Sequence, residues 1–128
     1  MIVAAGKGCV AYVMDKFEMA TRTKQFAHRV MRLAEALPRS RSGTTIANQI
    51  IRSGTSVAAN YRAALRGRSK AEFISKTGTV LEEADETLFW LELIEEAGLL
   101  PTEQIAELNV EADALVRIFN KTRSTAKS

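Results

Sequence analysis

His28 is the only histidine of the chain and Cys9 the only cysteine. Together they narrow the available chemistry sharply. A carboxylate-bridged metal pair in a helical bundle takes two Glu-x-x-His motifs, one from each of two helices, with further Glu ligands. Here the residue three before His28 is Gln25, and no second histidine exists. One cysteine cannot build a Cys-based zinc site or an internal disulfide. Cys9 also precedes the first helical pattern, with no partner to act as its base. Glu82, Glu83 and Glu86 recur at helical spacing and could meet a hard cation, but such a cluster is more commonly a solvated acidic face. No G-x-x-x-x-G-K-[ST] loop offers its amides to a phosphate. The expectation is a chain with no catalytic residue, no metal site and no cofactor.

Charge is the stronger signal. From Arg39 to Lys76 there are eight basic residues and one acid, Glu72, whereas Glu82 to Asp113 holds eleven acids and no Lys or Arg. The formal net charge of +3 conceals this division. Three readings compete. The blocks can pair across neighbouring helices, or a basic surface can meet an acidic one between subunits. Alternatively, the basic block grips phosphates, where counterion release gives affinity without sequence preference. On that last reading the contacts are Arg52, Arg62, Arg66, Arg68 and Lys70. Gly67 interrupts the helix between Arg66 and Lys70, so spacing alone does not put Arg62, Arg66 and Lys70 on one face. The run lacks the interleaved aromatics of a stacking platform, and Tyr61 is the only candidate. A helix-turn-helix around Gly67 fits poorly, because both flanking helices exceed what that motif uses.

The elements that carry these residues follow from apolar spacing. With 128 residues, two Pro and seven Gly, the chain is one domain with long uninterrupted stretches. Phe26, Val30, Leu33 and Leu37 mark one face of a first helix whose apolar spacing runs from Phe17 and which ends before Pro38. RSRSGTT, residues 39–45, reads as a loop that supplies a Ser or Thr cap. Ile46, Ile50, Val57, Tyr61 and Leu65 mark the second helix, with Gly67 at the left-handed position beyond its end. Ser69 and Glu72 then form a capping box. The third helix runs from Lys70 to Ala97 with the stripe Phe73, Thr77, Val80, Ala84, Leu88, Leu91 and Ile94, and Gly98 closes it. Ile105, Leu108, Ala112, Leu115 and Phe119 define the fourth. Short connections force each helix back along its predecessor, so the expected fold is all-α: an antiparallel up-down-up-down four-helix bundle over residues 15–123. Residues 1–14 read as a loosely ordered extension, with Met14 resembling a second start, and 124–128 as a frayed tail.

Two features suggest contact surfaces. Ser53, Gly54, Ala58 and Ala59 are small enough to let helices approach closely, which offsets the helical cost of Gly54, about 1 kcal/mol. Leu88 to Ile94 is apolar almost all round, more than one core stripe needs. That excess predicts self-association through Phe89, Trp90 and Leu93, with Gly54 and Ala58 as close-packing points. Asn60, on the same face, needs a hydrogen-bond partner if buried. No run reaches the roughly 18 apolar residues of a membrane helix. MIVAAGKGCVAYV lacks the charged start of a signal peptide, so the expected setting is the cytoplasm.

Three blocks carry a family resemblance: Ala47 to Asn60 (ANQIIRSGTSVAAN), Ser69 to Phe73 (SKAEF) and Glu82 to Leu91 (EEADETLFWL). The stretch from about Phe26 to Leu99 resembles the 23S rRNA-intervening sequence proteins. That resemblance implies an antiparallel four-helix bundle assembled into five-fold rings, hence a homopentamer, with no enzymatic activity. Some members are encoded within inserts of ribosomal RNA genes. Similar bundles serve diversity-generating retroelements, where a positively charged ring contacts nucleic acid and a reverse transcriptase. Where many members read Asn-Ile-Ala-Glu-Gly, this chain has Asn60-Tyr61-Arg62-Ala63-Ala64, which removes an acid and adds Arg62. The expected function is therefore a non-enzymatic oligomeric bundle that associates with RNA or a nucleoprotein through a basic surface. The alternative is a protein-only interaction module.

Overall fold

The computed structural model of the chain describes residues 2–3, 12–13 and 15–128. Four helices account for nearly all of this: α1 Lys16–Ala36, α2 Arg41–Leu65, α3 Lys70–Glu96 and α4 Thr102–Lys127. Each packs against its sequence neighbour, and α4 closes back on α1 through a smaller contact, leaving that seam the most open of the four. The short connections reverse the chain at every turn, as in an up-down-up-down bundle. Ahead of the helices, Ile2–Val3 (β1) and Tyr12–Val13 (β2) pair antiparallel, a short ladder that the helical pattern did not announce. β-branched and aromatic residues suit such a pairing. The expectation of a loose extension over 1–14 otherwise lies outside the described residues.

The helices start where a side chain can satisfy a free amide. Asp15 accepts from Glu18 N–H at 2.8 Å, Ser40 from Gly43 N–H at 3.0 Å and Ser69 from Glu72 N–H at 3.1 Å. Such caps each contribute about 1 kcal/mol. The Ser40 cap corrects one boundary. Residues 39–45 are not all loop, because α2 begins at Arg41. Gly43 sits in its first turn, where a Cβ would lie 1.9 Å from the Pro38 carbonyl oxygen.

A second correction concerns glycine. Gly67 is not left-handed, since among the described residues Gly98 alone has a positive φ, of 67°. There Gly98 N–H donates to Glu95 O and Leu99 N–H to Ile94 O, the paired bonds of a Schellman ending. α2 instead ends with tight bonds from Arg66 and Gly67 N–H to Ala63 and Ala64 carbonyls. α4 continues through the polar stretch 124–127.

The core follows the predicted faces closely on α4, where Ile105, Leu108, Ala112, Leu115 and Phe119 are all buried. Tyr61 and Phe119 meet at 5.4 Å between ring centroids. α3 departs at Phe73, which is only half-buried, and at Thr87, which is buried where Leu88 was expected while Leu88 is only half-buried. The reason for Thr87 lies on α2. The Thr87 hydroxyl donates to Ser53 Oγ at 2.8 Å, which makes a polar contact inside the α2–α3 seam.

Candidate nucleic-acid interface

The local sequence of α2 places Arg52, Arg62 and Arg66 on its exposed side, because the apolar residues between them turn inward. Their surroundings differ. Arg52 faces α3 and donates to Glu83 at 3.1 Å and also to Glu86. Glu86 in turn accepts from the Trp90 indole N–H at 3.0 Å. That indole bond first, and Arg52 second, hold the Glu86 carboxyl below the usual glutamate range. The same pairing holds the Arg52 guanidinium above its ordinary value. Arg52 is thus committed to the acidic helix.

Arg62 and Arg66 face α1. Because α1 and α2 are antiparallel, the start of α1 lies beside the end of α2, and the two arginines meet Lys16 and Lys24 across a groove of about 650 Å³. Its floor is Ala20, Ala58, Ala59 and Leu65, and Phe17 stands at its edge. No carboxylate lines it, and none of the four cations takes part in an ion pair with a described residue. Asp15 and Glu18 lie in the adjacent turn, where the Asp15 carboxylate caps α1. Phe17 is 72% exposed, with Lys16 Nζ 5.5 Å from its ring centroid.

Arg68 and Lys70 are exposed at the α2–α3 turn, at the same end of the bundle but outside the groove lining. The structure therefore brings Arg62 and Arg66 together, leaves Arg68 and Lys70 nearby, and separates Arg52. The topology also gathers the last turns of α4 at this end, with Lys121, Arg123 and Lys127. Arg123 packs over Gly78 of α3, its Nε 3.1 Å from where a Cβ would stand. The opposite end mixes Arg29 and Arg32 with Glu103 and Glu107 along the α1–α4 seam.

Tyr61, the stacking candidate of the basic run, is enclosed at 2% exposure. Burial first, and the nearby Asp15 charge second, push its hydroxyl up to about 12. It offers no face for stacking. The exposed aromatic residue comes from α1 instead. Lys16, Phe17 and Lys24 escaped the sequence reading, although Lys16, Ala20 and Lys24 recur every four residues and so share one helix face.

The residues expected at a subunit contact fall in two places. Phe89 is 51% exposed and meets the Trp90 ring edge-on at 5.0 Å. Trp90 and Leu93 are half-buried beside it on α3. Gly54, in contrast, is buried within the chain, where a Cβ would lie 2.7 Å from Val30 Cγ1. It lets α2 approach Val30 of α1 closely, so its close packing is internal. Ala58 lines the basic groove. Asn60 donates to Ser56 O at 2.9 Å and Ser56 Oγ at 2.8 Å, a local arrangement within α2.

His28 is exposed. Among the described residues no three His, Cys, Asp or Glu side chains are grouped to hold a metal ion, and no helix is long and apolar enough to cross a membrane.

These features define a small antiparallel four-helix bundle with a cationic groove at one end. Its sequence matches the family model of the 23S rRNA-intervening sequence proteins over residues 15–121, and the chain belongs to that family. A crystal structure of a protein of unknown function from the S23 ribosomal protein family of Bacteroides thetaiotaomicron has the same fold. Its TM-score is 0.76 at 32% identity, over 81% of this chain and 96% of that one. A comparison with curated proteins gave no match.

Proposed function

We propose that this chain is a non-enzymatic bundle that assembles with copies of itself and binds RNA, alone or within a nucleoprotein, in the groove between α1 and α2. The observation that carries the reading is the lining of that groove. Lys16, Lys24, Arg62 and Arg66 converge on one concave surface without a carboxylate among them. Cations left without partners keep counterion release available as a driving force. Arg68 and Lys70 extend the positive surface around the α2–α3 turn. Self-association uses the Phe89, Trp90 and Leu93 face, and the homopentamer is the state the family resemblance implies.

The test is a salt titration of RNA binding by fluorescence anisotropy. Binding weakens steeply as salt rises, and Arg62→Ala with Arg66→Ala flattens the log–log slope by roughly 1.4, about 0.7 per lost phosphate contact on a single strand. Arg52→Ala leaves the slope unchanged. Absence of binding at low salt refutes the RNA reading. Light scattering tests assembly separately. The chain runs larger than a monomer, and Phe89→Asp shifts it toward one.

A second reading, a module that binds only proteins, is favoured by one observation. Arg52 is already neutralised by Glu83 and Glu86, and Phe89 nearby on α3 is exposed beside the half-buried Trp90. An assembled protein without RNA affinity would support that reading.

A further inference from the structure

We infer that the groove selects single-stranded RNA, with a base stacked on Phe17 and the adjoining phosphates held by Lys16, Lys24, Arg62 and Arg66. This rests on the RNA reading above and specifies the form of the polymer. Four cations would attract any polyanion, so the choice among polyanions falls to the other lining residues. Phe17 is the only aromatic residue among them and is 72% exposed. An aromatic ring at the edge of a positive groove is the pairing found where unstacked bases are held, because every base has a π-face.

The position of Lys16 fits this use. Its ammonium lies over the Phe17 ring, 5.5 Å from the centroid, so a base stacking on that face moves it aside toward the adjoining phosphate. Lys24 lies on the same helix face, about 12 Å further along the axis at 1.5 Å per residue. Arg62 and Arg66 line the opposite wall. The groove thus tracks a few nucleotides of backbone.

The floor limits what can be read. Ala20, Ala58, Ala59 and Leu65 offer no side-chain donor or acceptor to a base edge, and the lining has no Asn, Gln, Asp or Glu. Recognition is therefore tolerant of sequence. A duplex keeps its bases stacked on one another, and A-form RNA shows proteins its backbone and minor-groove edges rather than free base faces. Phe17 gains nothing from it. An acidic peptide would meet the same cations but has no flat base for the ring.

The experiment uses the full chain and four probes at one salt concentration: short oligouridine, a duplex RNA of the same length, an abasic strand of the same length, and oligoglutamate. Wild type prefers the single strand, and Phe17→Ala weakens that binding about tenfold. Phe17→Trp restores it, and neither variant changes binding of the duplex or the abasic strand. Because Phe17 is mostly exposed, circular dichroism remains that of wild type. Equal affinity for the intact and abasic strands overturns the stacking proposal while leaving RNA binding intact, as does a Phe17→Ala variant with wild-type affinity. Oligoglutamate bound as well as oligouridine also overturns it. Failure of every RNA probe to bind wild type at low salt removes the RNA reading itself.

Discussion

Arg52 and Arg62 lie ten residues apart on one helix, yet they face different neighbours. Across from Arg52 stands α3, which supplies Glu83 and Glu86. Across from Arg62 and Arg66 stands the start of α1, which supplies Lys16 and Lys24. The first arginine has its charge satisfied within the bundle, while the other two form no ion pair with a described residue. The lesson is that a basic run in sequence is not one surface. Whether an arginine can bind phosphate depends on the helix across the seam. The two seams also close differently: α1–α2 through the bare backbone of Gly54 beneath Val30, α2–α3 through the buried Ser53–Thr87 hydroxyl pair and the surface Arg52 network.

Substitutions can break this contrast one seam at a time. The largest effect is expected at Gly54. A Cβ there would lie 2.7 Å from Val30 Cγ1 and 2.9 Å from its Cβ. Overpacking of this kind costs about 1–3 kcal/mol, enough to outweigh the roughly 1 kcal/mol of helix propensity that Ala supplies. Gly54→Ala therefore lowers stability in chemical denaturation, and adding Val30→Ala recovers part of the loss. A stabilised Gly54→Ala would show that the α1–α2 approach is looser than described.

Thr87 is the corresponding probe of α2–α3. Thr87→Val removes the donor to Ser53 and costs about 1 kcal/mol, while pairing it with Ser53→Ala brings much of that back, because two apolar groups then meet. A double-mutant cycle measures the coupling, and additive losses would mean that the hydroxyls do not act as a pair.

The smallest effect belongs to Arg52. Its side chain is half exposed, so Arg52→Ala lowers stability by less than about 1 kcal/mol. Its signature is in the pH profile. The Glu86 pKa is lower in the folded state, so its contribution is present above the ordinary value of 4.5 and is lost as pH falls through the folded value. Trp90→Phe and Arg52→Ala each shrink this acid-side loss, since the indole bond and the Arg52 guanidinium both hold the carboxyl down. Denaturation midpoints measured from neutral to acidic pH check both.

Most of the fold could be read along the chain. The α4 face, the Ser69 cap and the turn at Gly98 depend on contacts within a few residues, so local spacing reports them. Some misreadings are local: α2 starts early at the Ser40 cap, and Gly67 follows a tight ending rather than a left-handed one. That of Thr87 is not, because it is buried where Ser53 stands opposite it on another helix. The candidate site was half legible for the same reason. Arg62 and Arg66 announced themselves by charge, whereas Lys16, Phe17 and Lys24 entered only when antiparallel packing laid the start of α1 beside them.

The amino-acid sequence by itself determined four amphipathic helices, their order and reversals, and the segregation of acids from bases. Periodicity and capping act over one or two turns, so the chain states them locally. Only the tertiary structure decided which cations are neutralised and which are free, where Gly54 is used, and that Tyr61 is enclosed while Phe17 is exposed. Those outcomes depend on what stands across each seam, and residues some forty positions apart meet there only after the bundle has closed.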